Sequence, residues 1–211
     1  MKDYQRQIRW FPLFSLGAAW VGLWGAWVSH ETSALTQNFF YFSEWSTFLL
    51  DVRFGEMFLA PDLMRTGGAL VIVGLIVSLE ALDNLFLRWS LRIVAALPVL
   101  MLLPPYPQVL QLWWAEGYEL RFLAASLIPA GLLAVVFLDR PGAWRRAALI
   151  SGFSLAGMVI GVASFWRLKE PFEAHYTHGL SPGWGLALFL AGTLFTGCFG
   201  LWWGWRQKER G

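Results

Sequence analysis

Charge is scarce in this chain. Of its 211 residues only 14% are Asp, Glu, Lys or Arg, against 57% hydrophobic, whereas a soluble domain carries about 25% charged residues. With a mean hydropathy of +0.51, that shortfall excludes a water-soluble globular domain, which could not absorb so much apolar surface. Cysteine occurs once, as Cys198 inside the last apolar run, so there is no disulfide framework and no cysteine-based zinc site. The three histidines, His30, His175 and His178, all fall outside the apolar runs, which removes a bis-histidine haem between helices. No apolar run contains Lys, so a retinal-type Schiff base has no attachment point. Gly152-Phe153-Ser154 has the look of an intramembrane serine nucleophile, but no intramembrane His is available as its base. A Gly-x-x-x-x-Gly-Lys phosphate loop is missing, and another subunit would have to energise any active transport. No internal repeat supports an inverted-repeat transporter. Nothing in the chain points to nucleic acid or to a bound cofactor.

What the chain does have is a succession of apolar runs at 10–29, 66–87, 89–103, 122–138, 147–166 and 183–205. Each is near the roughly 20 residues that span a roughly 30 Å hydrocarbon core. The expected fold is an all-α, polytopic membrane bundle of six transmembrane helices forming one domain, 1–211. Its exterior loops are 30–65, 104–121 and 167–182. With the N-terminus inside, Lys2, Arg6, Arg9, Arg88, Arg92, Arg140, Arg145, Arg146, Arg206, Lys208 and Arg210 share one side. Arg53, Arg65, Arg121, Arg167 and Lys169 take the other. This excess obeys the positive-inside rule and places both termini in the cytoplasm, in a multi-pass protein of the plasma membrane. The first run carries several Trp and no small-x-small exit site, so it reads as a retained span rather than a signal peptide.

Tryptophan gives a second reading of the same topology, because indole favours the headgroup level. Trp10, Trp89, Trp144, Trp202, Trp203 and Trp205 fall at expected inner ends, and Trp27, Trp113, Trp114, Trp166 and Trp184 at outer ends. Trp20 and Trp24 lie deeper, where packing against another helix is expected.

Loop one is not an ordinary hydrophilic connection. Phe39-Phe40-Tyr41-Phe42, Trp45, Phe48, Leu49 and Leu50 are interleaved with Gln37, Asn38, Ser43, Glu44, Ser46, Thr47 and Asp51. If 39–50 is helical, Phe42, Trp45 and Leu49 form one apolar stripe. Two readings follow: an amphipathic helix lying in the outer interface or capping the bundle, or a docking surface for a membrane-protein partner. In Ala34-Leu35-Thr36, Phe42-Ser43-Glu44-Trp45, Phe48-Leu49, Asp51-Val52-Arg53, Gly55 and Pro61, the chain resembles a group of uncharacterised bacterial multi-span membrane proteins with a similar first exterior loop. That resemblance covers about a third of the chain and implies topology without implying an activity.

Polar residues within the spans are the remaining candidates. Glu80 sits well inside the second run, and on a continuous helix Glu80, Asn84 and Arg88 recur at i, i+4 and i+8 beside Asp83. The stripe offers either an interhelical hydrogen bond or ion pair with Arg88 or Arg92, or a route for a proton or substrate. Outside the spans, His30, His175 and His178 with Glu31, Glu170 and Glu173 are weak candidates for a metal site. Their spacing lacks the His-Glu-x-x-His pattern of metallopeptidases, and a solvated loop or a pH sensor is the competing reading. Small-residue faces at Gly157 and Gly161, Gly200 and Gly204, and Ala18, Gly22 and Ala26 predict close helix contacts, and Pro98 and Pro129 predict kinks. Two functional classes survive. One is a non-catalytic accessory or scaffold subunit of a larger envelope complex. The other is a small transporter or membrane-embedded enzyme using Glu80 and the exterior His/Glu set.

Overall fold

A backbone in apolar surroundings has to satisfy its N–H and C=O groups within each segment, and the long apolar runs do so as helices. The computed structural model describes residues 2–29, 36–55, 57–104, 110, 118–138, 143–176 and 179–208. In chain order the elements are α1 (Lys2–Trp24), β1 (Ala26–Ser29), β2 (Gln37–Asn38), α2 (Phe39–Ser46), α3 (Leu50–Arg53) and α4 (Ala60–Ser78). A 3-10 turn at Leu79–Ala81 precedes α5 (Leu85–Ala96), α6 (Val99–Leu102), α7 (Glu119–Leu138), α8 (Ala143–Tyr176), β3 (Ser181–Pro182) and α9 (Trp184–Lys208). Among the described residues, five helical segments are long and apolar enough to cross a membrane: Ala60–Ala81, Leu85–Leu102, Glu119–Val136, Trp144–His175 and Trp184–Trp203. Trp10–Trp24 is apolar but shorter. The chain is a mostly helical bundle with the make-up of a multi-pass membrane protein.

Helix α4 occupies the middle and is the most buried of the five. It can lie there because its neighbours meet it through glycine. A methyl group on Gly157 would fall 2.6 Å from the Gly67 carbonyl oxygen, and one on Gly67 would fall 2.5 Å from the Gly161 nitrogen. Backbones this close gain dispersion contact that larger side chains would prevent. Helix α1 meets α9 in the same way at Gly22 and Gly185, and Ser15 Oγ lies 2.6 Å from Thr196 Oγ1. Ser154 of α8 donates to the Thr193 carbonyl of α9 at 2.8 Å, while Gly200 packs on Ser151. These small-residue faces are therefore used between helices of one chain.

The first run does not stay helical to residue 29. Helix α1 stops at Trp24, and β1 pairs antiparallel with β2 and β3 in the order β2-β1-β3, with Val28 opposite Pro182 and Ser29 opposite Ser181. The exit lies at Gly25, where any Cβ would meet the Trp184 ring at 2.5 Å. Trp27, expected at the headgroup level, is wholly buried. Its ring packs against Phe39, Phe165 and Phe189, and its indole N–H donates to the Gly22 carbonyl at 3.0 Å.

The second and third runs meet at a corner that periodicity does not reveal. After the 3-10 turn, Asn84 caps α5 by accepting from the Leu87 N–H at 3.0 Å. Glu80, Asn84 and Arg88 therefore do not form one continuous helical stripe. Pro98 separates α5 from α6, whereas Pro129 lies inside an unbroken α7. Helix α8 has 34 residues, about 51 Å at 1.5 Å per residue, and so overruns a roughly 30 Å hydrocarbon core by about 20 Å.

Candidate functional site

The overrun of α8 is occupied by loop one. Asn38 caps α2 by accepting from the Tyr41 N–H at 2.9 Å, and the helix then turns Phe39, Phe40, Phe42, Ser43 and Ser46 inward. Phe42 lies against Phe165 and Phe172 of α8, at centroid distances of 5.2 and 5.0 Å. Phe39 sits over Gly68 of α4, where a side chain would collide with its ring. Leu49 is buried as well. Of the expected stripe, Phe42 and Leu49 face the protein, while Trp45 is 51% exposed. The outward apolar surface consists instead of Tyr41, Trp45, Phe48, Leu50, Phe54 and Phe58. Loop one thus forms a cap with one face packed on the bundle and the other open.

Salt bridges fix the cap to the bundle. Asp62 and Arg65 lie three residues apart in the first turns of α4, and Arg65 Nη1 reaches Asp62 Oδ1 at 2.5 Å. The other arm of Arg65 contacts Glu44 Oε2 of α2 at 3.0 Å and donates to the Ser43 carbonyl at 3.0 Å. Arg121 of α7 meets the same Glu44 oxygen at 2.7 Å, and also donates to the carbonyls of Leu102 and Leu103 at 3.0 and 2.8 Å. Arg65 and Arg121 are both buried, and a buried guanidinium is tolerable only when paired and hydrogen-bonded in this manner. Sequence reasoning treated Arg65 and Arg121 as markers of span ends. Only the Asp62-x-x-Arg65 spacing inside an apolar helix hinted at more.

At the far end of α4, Glu80 projects from the 3-10 turn between two arginines of α5. Its Oε1 lies 2.7 Å from Arg88 Nη1 and its Oε2 2.9 Å from Arg92 Nη2. Backbone carbonyls complete the set. Arg88 donates to Leu82 from Nε at 2.9 Å, and Arg92 donates to Ile76 from Nε at 3.3 Å. The Arg92 guanidinium also lies 4.9 Å from the Trp89 ring centroid. Held by two guanidinium groups of α5, the Glu80 carboxylate fastens the 3-10 turn to that helix.

The histidine set is only partly placed. His30, Glu31 and His178 lie outside the described residues. His175 is exposed on the last turn of α8. Glu173 is engaged locally, its Oε1 accepting from Lys169 Nζ and from the Leu180 N–H, both at 2.6 Å. Among the described residues no group of three His, Cys, Asp or Glu side chains is arranged to hold a metal ion. Comparison with protein-family models, curated proteins and solved structures finds no match to this chain.

Proposed function

We propose that this chain is a non-catalytic, six-span subunit of the plasma membrane, with both termini in the cytoplasm, and that its exterior cap docks onto a partner in a larger envelope complex. The observation that carries this reading is the two-faced cap. Its inner side is bolted by Arg65, Glu44 and Arg121, while Trp45, Phe48, Phe54 and Phe58 stand open on the other side. An ordered apolar surface of this kind is a recognition surface, because rigid aromatics bury much area at little entropic cost. Glu80 supports the reading from the other end, being engaged by two arginines.

The sixth crossing is α1 with β1. Trp10–Trp24 supplies about 22 Å of helix, and the four residues of β1 add about 13 Å of extended chain. Non-helical backbone at membrane depth is tolerated where protein surrounds it, and Trp27 and Val28 are wholly buried.

Two measurements test the proposal. In a Cys198→Ser background, cysteines introduced at Gln207 and at Ser181 should label from opposite sides of the membrane; labelling from one side overturns the topology. Purification in mild detergent should yield a stoichiometric partner that Trp45→Ser combined with Phe48→Ser releases, without loss of membrane insertion. A lone monomer with a hydrated path to Glu80 would instead favour the small transporter or membrane-embedded enzyme.

A further inference from the structure

The charged side chains of the cap divide into those that fasten it and two that do not. Glu44 is engaged by Arg65 and Arg121, and Asp62 by Arg65. Asp51 and Arg53 are exposed, and among the described residues neither lies within ion-pair distance of an opposite charge. Both belong to the four-residue helix α3, whose register fixes where they stand. Val52 is turned inward, at 3% exposed, whereas Leu50 is 70% exposed. With about 3.6 residues per turn, burying Val52 points Leu50 outward and sets Asp51 and Arg53 on opposite flanks of it.

Aromatic side chains surround this charge pair. Tyr41 and Trp45 lie one turn apart on the outer side of α2, and the Phe48 ring stands edge-on to Trp45 at a centroid distance of 6.4 Å. The Arg53 guanidinium lies 5.6 Å from the Phe54 ring centroid. Tyr41, Trp45, Phe48, Phe54 and Phe58 are each at least half exposed, and with Leu50 they offer on the order of 750 Å² of open surface. That is near the roughly 800 Å² that each partner brings to a standard interface. Leu59 and Leu63, one turn apart at the start of α4 and both exposed, carry the apolar side chains onto the crossing helix, within reach of a neighbour in the same membrane.

We infer that the partner received by this surface is a second copy of the chain, related to the first by a two-fold axis along the membrane normal. Such an axis keeps both caps on the exterior. In a two-fold contact, whatever stands to one side of the axis meets what stands to the other side on the second copy. An acid on one flank and a base on the other are therefore self-complementary: Asp51 of each copy meets Arg53 of the other, with Leu50 between them. The same carboxylate argues against lipid as the occupant, because it is costly among acyl chains and repelled by anionic headgroups. The inference rests on the docking surface and the topology proposed above, and names the occupant of that surface.

The test co-expresses two differently tagged copies of the full chain, purifies them in mild detergent through one tag, and reads the mass by light scattering. Wild-type copies should co-purify as a dimer. Asp51→Arg alone and Arg53→Asp alone each set like charges against one another at both contacts, and each should weaken self-association by about tenfold or more. Pairing an Asp51→Arg copy with an Arg53→Asp copy puts opposite charges back at both contacts and should recover the dimer, which also shows that the single variants are folded. A dimer indifferent to the single variants, or no recovery in the mixed pair, overturns the inference. So does a wild-type monomer. If that monomer carries a different stoichiometric protein that Trp45→Ser with Phe48→Ser releases, the docking reading stands without the second copy. If it carries none, both fall, and slower hydrogen exchange across α2 and α3 in nanodiscs than in detergent would assign the surface to the outer leaflet.

Discussion

The two ends of α4 are fastened by the same chemistry in different ways. At the cap end two guanidinium groups meet two carboxylates, drawn from α2, α4 and α7. At the other end, among the described ion pairs, one carboxylate serves two guanidinium groups, and all three belong to neighbouring stretches on either side of a corner. The first arrangement joins segments that are distant in sequence. The second fixes the angle between two helices that already adjoin in sequence. Charge balance follows from this division, since a junction of distant segments buried among apolar side chains has little water to compensate an excess. The Glu80 group is partly exposed, and carbonyl oxygens of Leu82 and Ile76 share its surplus positive charge.

Substitutions can break this comparison. Arg65→Leu should have the largest effect, because its side chain is only 2% exposed and its loss leaves Asp62 without its partner and Glu44 with one partner fewer. Removing one member of a buried pair costs about 3–5 kcal/mol, measurable as a fall in unfolding temperature in detergent. Stability within about 0.5 kcal/mol of the wild type would show that aromatic packing alone holds the cap. Phe42→Ser probes that packing directly. It empties the space between Phe165 and Phe172 and should cost about 3 kcal/mol, with faster hydrogen exchange across α2 and the Glu80 corner unchanged. Smaller again is Glu80→Leu, which strands the buried Arg92 at a partly exposed site and should cost about 2 kcal/mol. Glu80→Gln, which still accepts a hydrogen bond, should recover about half of that loss. If Glu80→Leu proves as damaging as Arg65→Leu, the distinction between a long-range bolt and a local corner brace does not hold.

How much of this was legible in the sequence depended on the range of the interaction. Apolar runs between basic residues are local signals, and they located five helices to within a few residues at most ends. The pairing of Glu80 with Arg88 and Arg92 was also within reach, because only a short stretch separates them. The corner itself was obscured by the i, i+4, i+8 spacing of Glu80, Asn84 and Arg88, which fits a continuous helix, although Asp83-Asn84 is an ordinary helix-start signal. The burial of Trp27 went unread for a different reason. An indole at a span end satisfies the headgroup pattern, and only the arrival of Phe39, Phe165 and Phe189 from three other segments makes it core. The Glu44, Asp62, Arg65 and Arg121 cluster was the least legible, since its members are scattered between loop one and α7. In loop one the apolar spacing of Phe42, Trp45 and Leu49 was visible, but which face turned inward was decided by α8.

That dependence on α8 has a consequence for synthesis. Phe42 leaves the ribosome long before its partners Phe165 and Phe172, and at about 5–20 residues per second the delay is on the order of ten seconds. Throughout that interval the aromatic segment has no surface of α8 to receive it. Its inward rings must wait against lipid, or under the hold of a chaperone, until α8 arrives. Truncations before α8 should therefore be cleared quickly by quality control, even with α4 and α7 already in place.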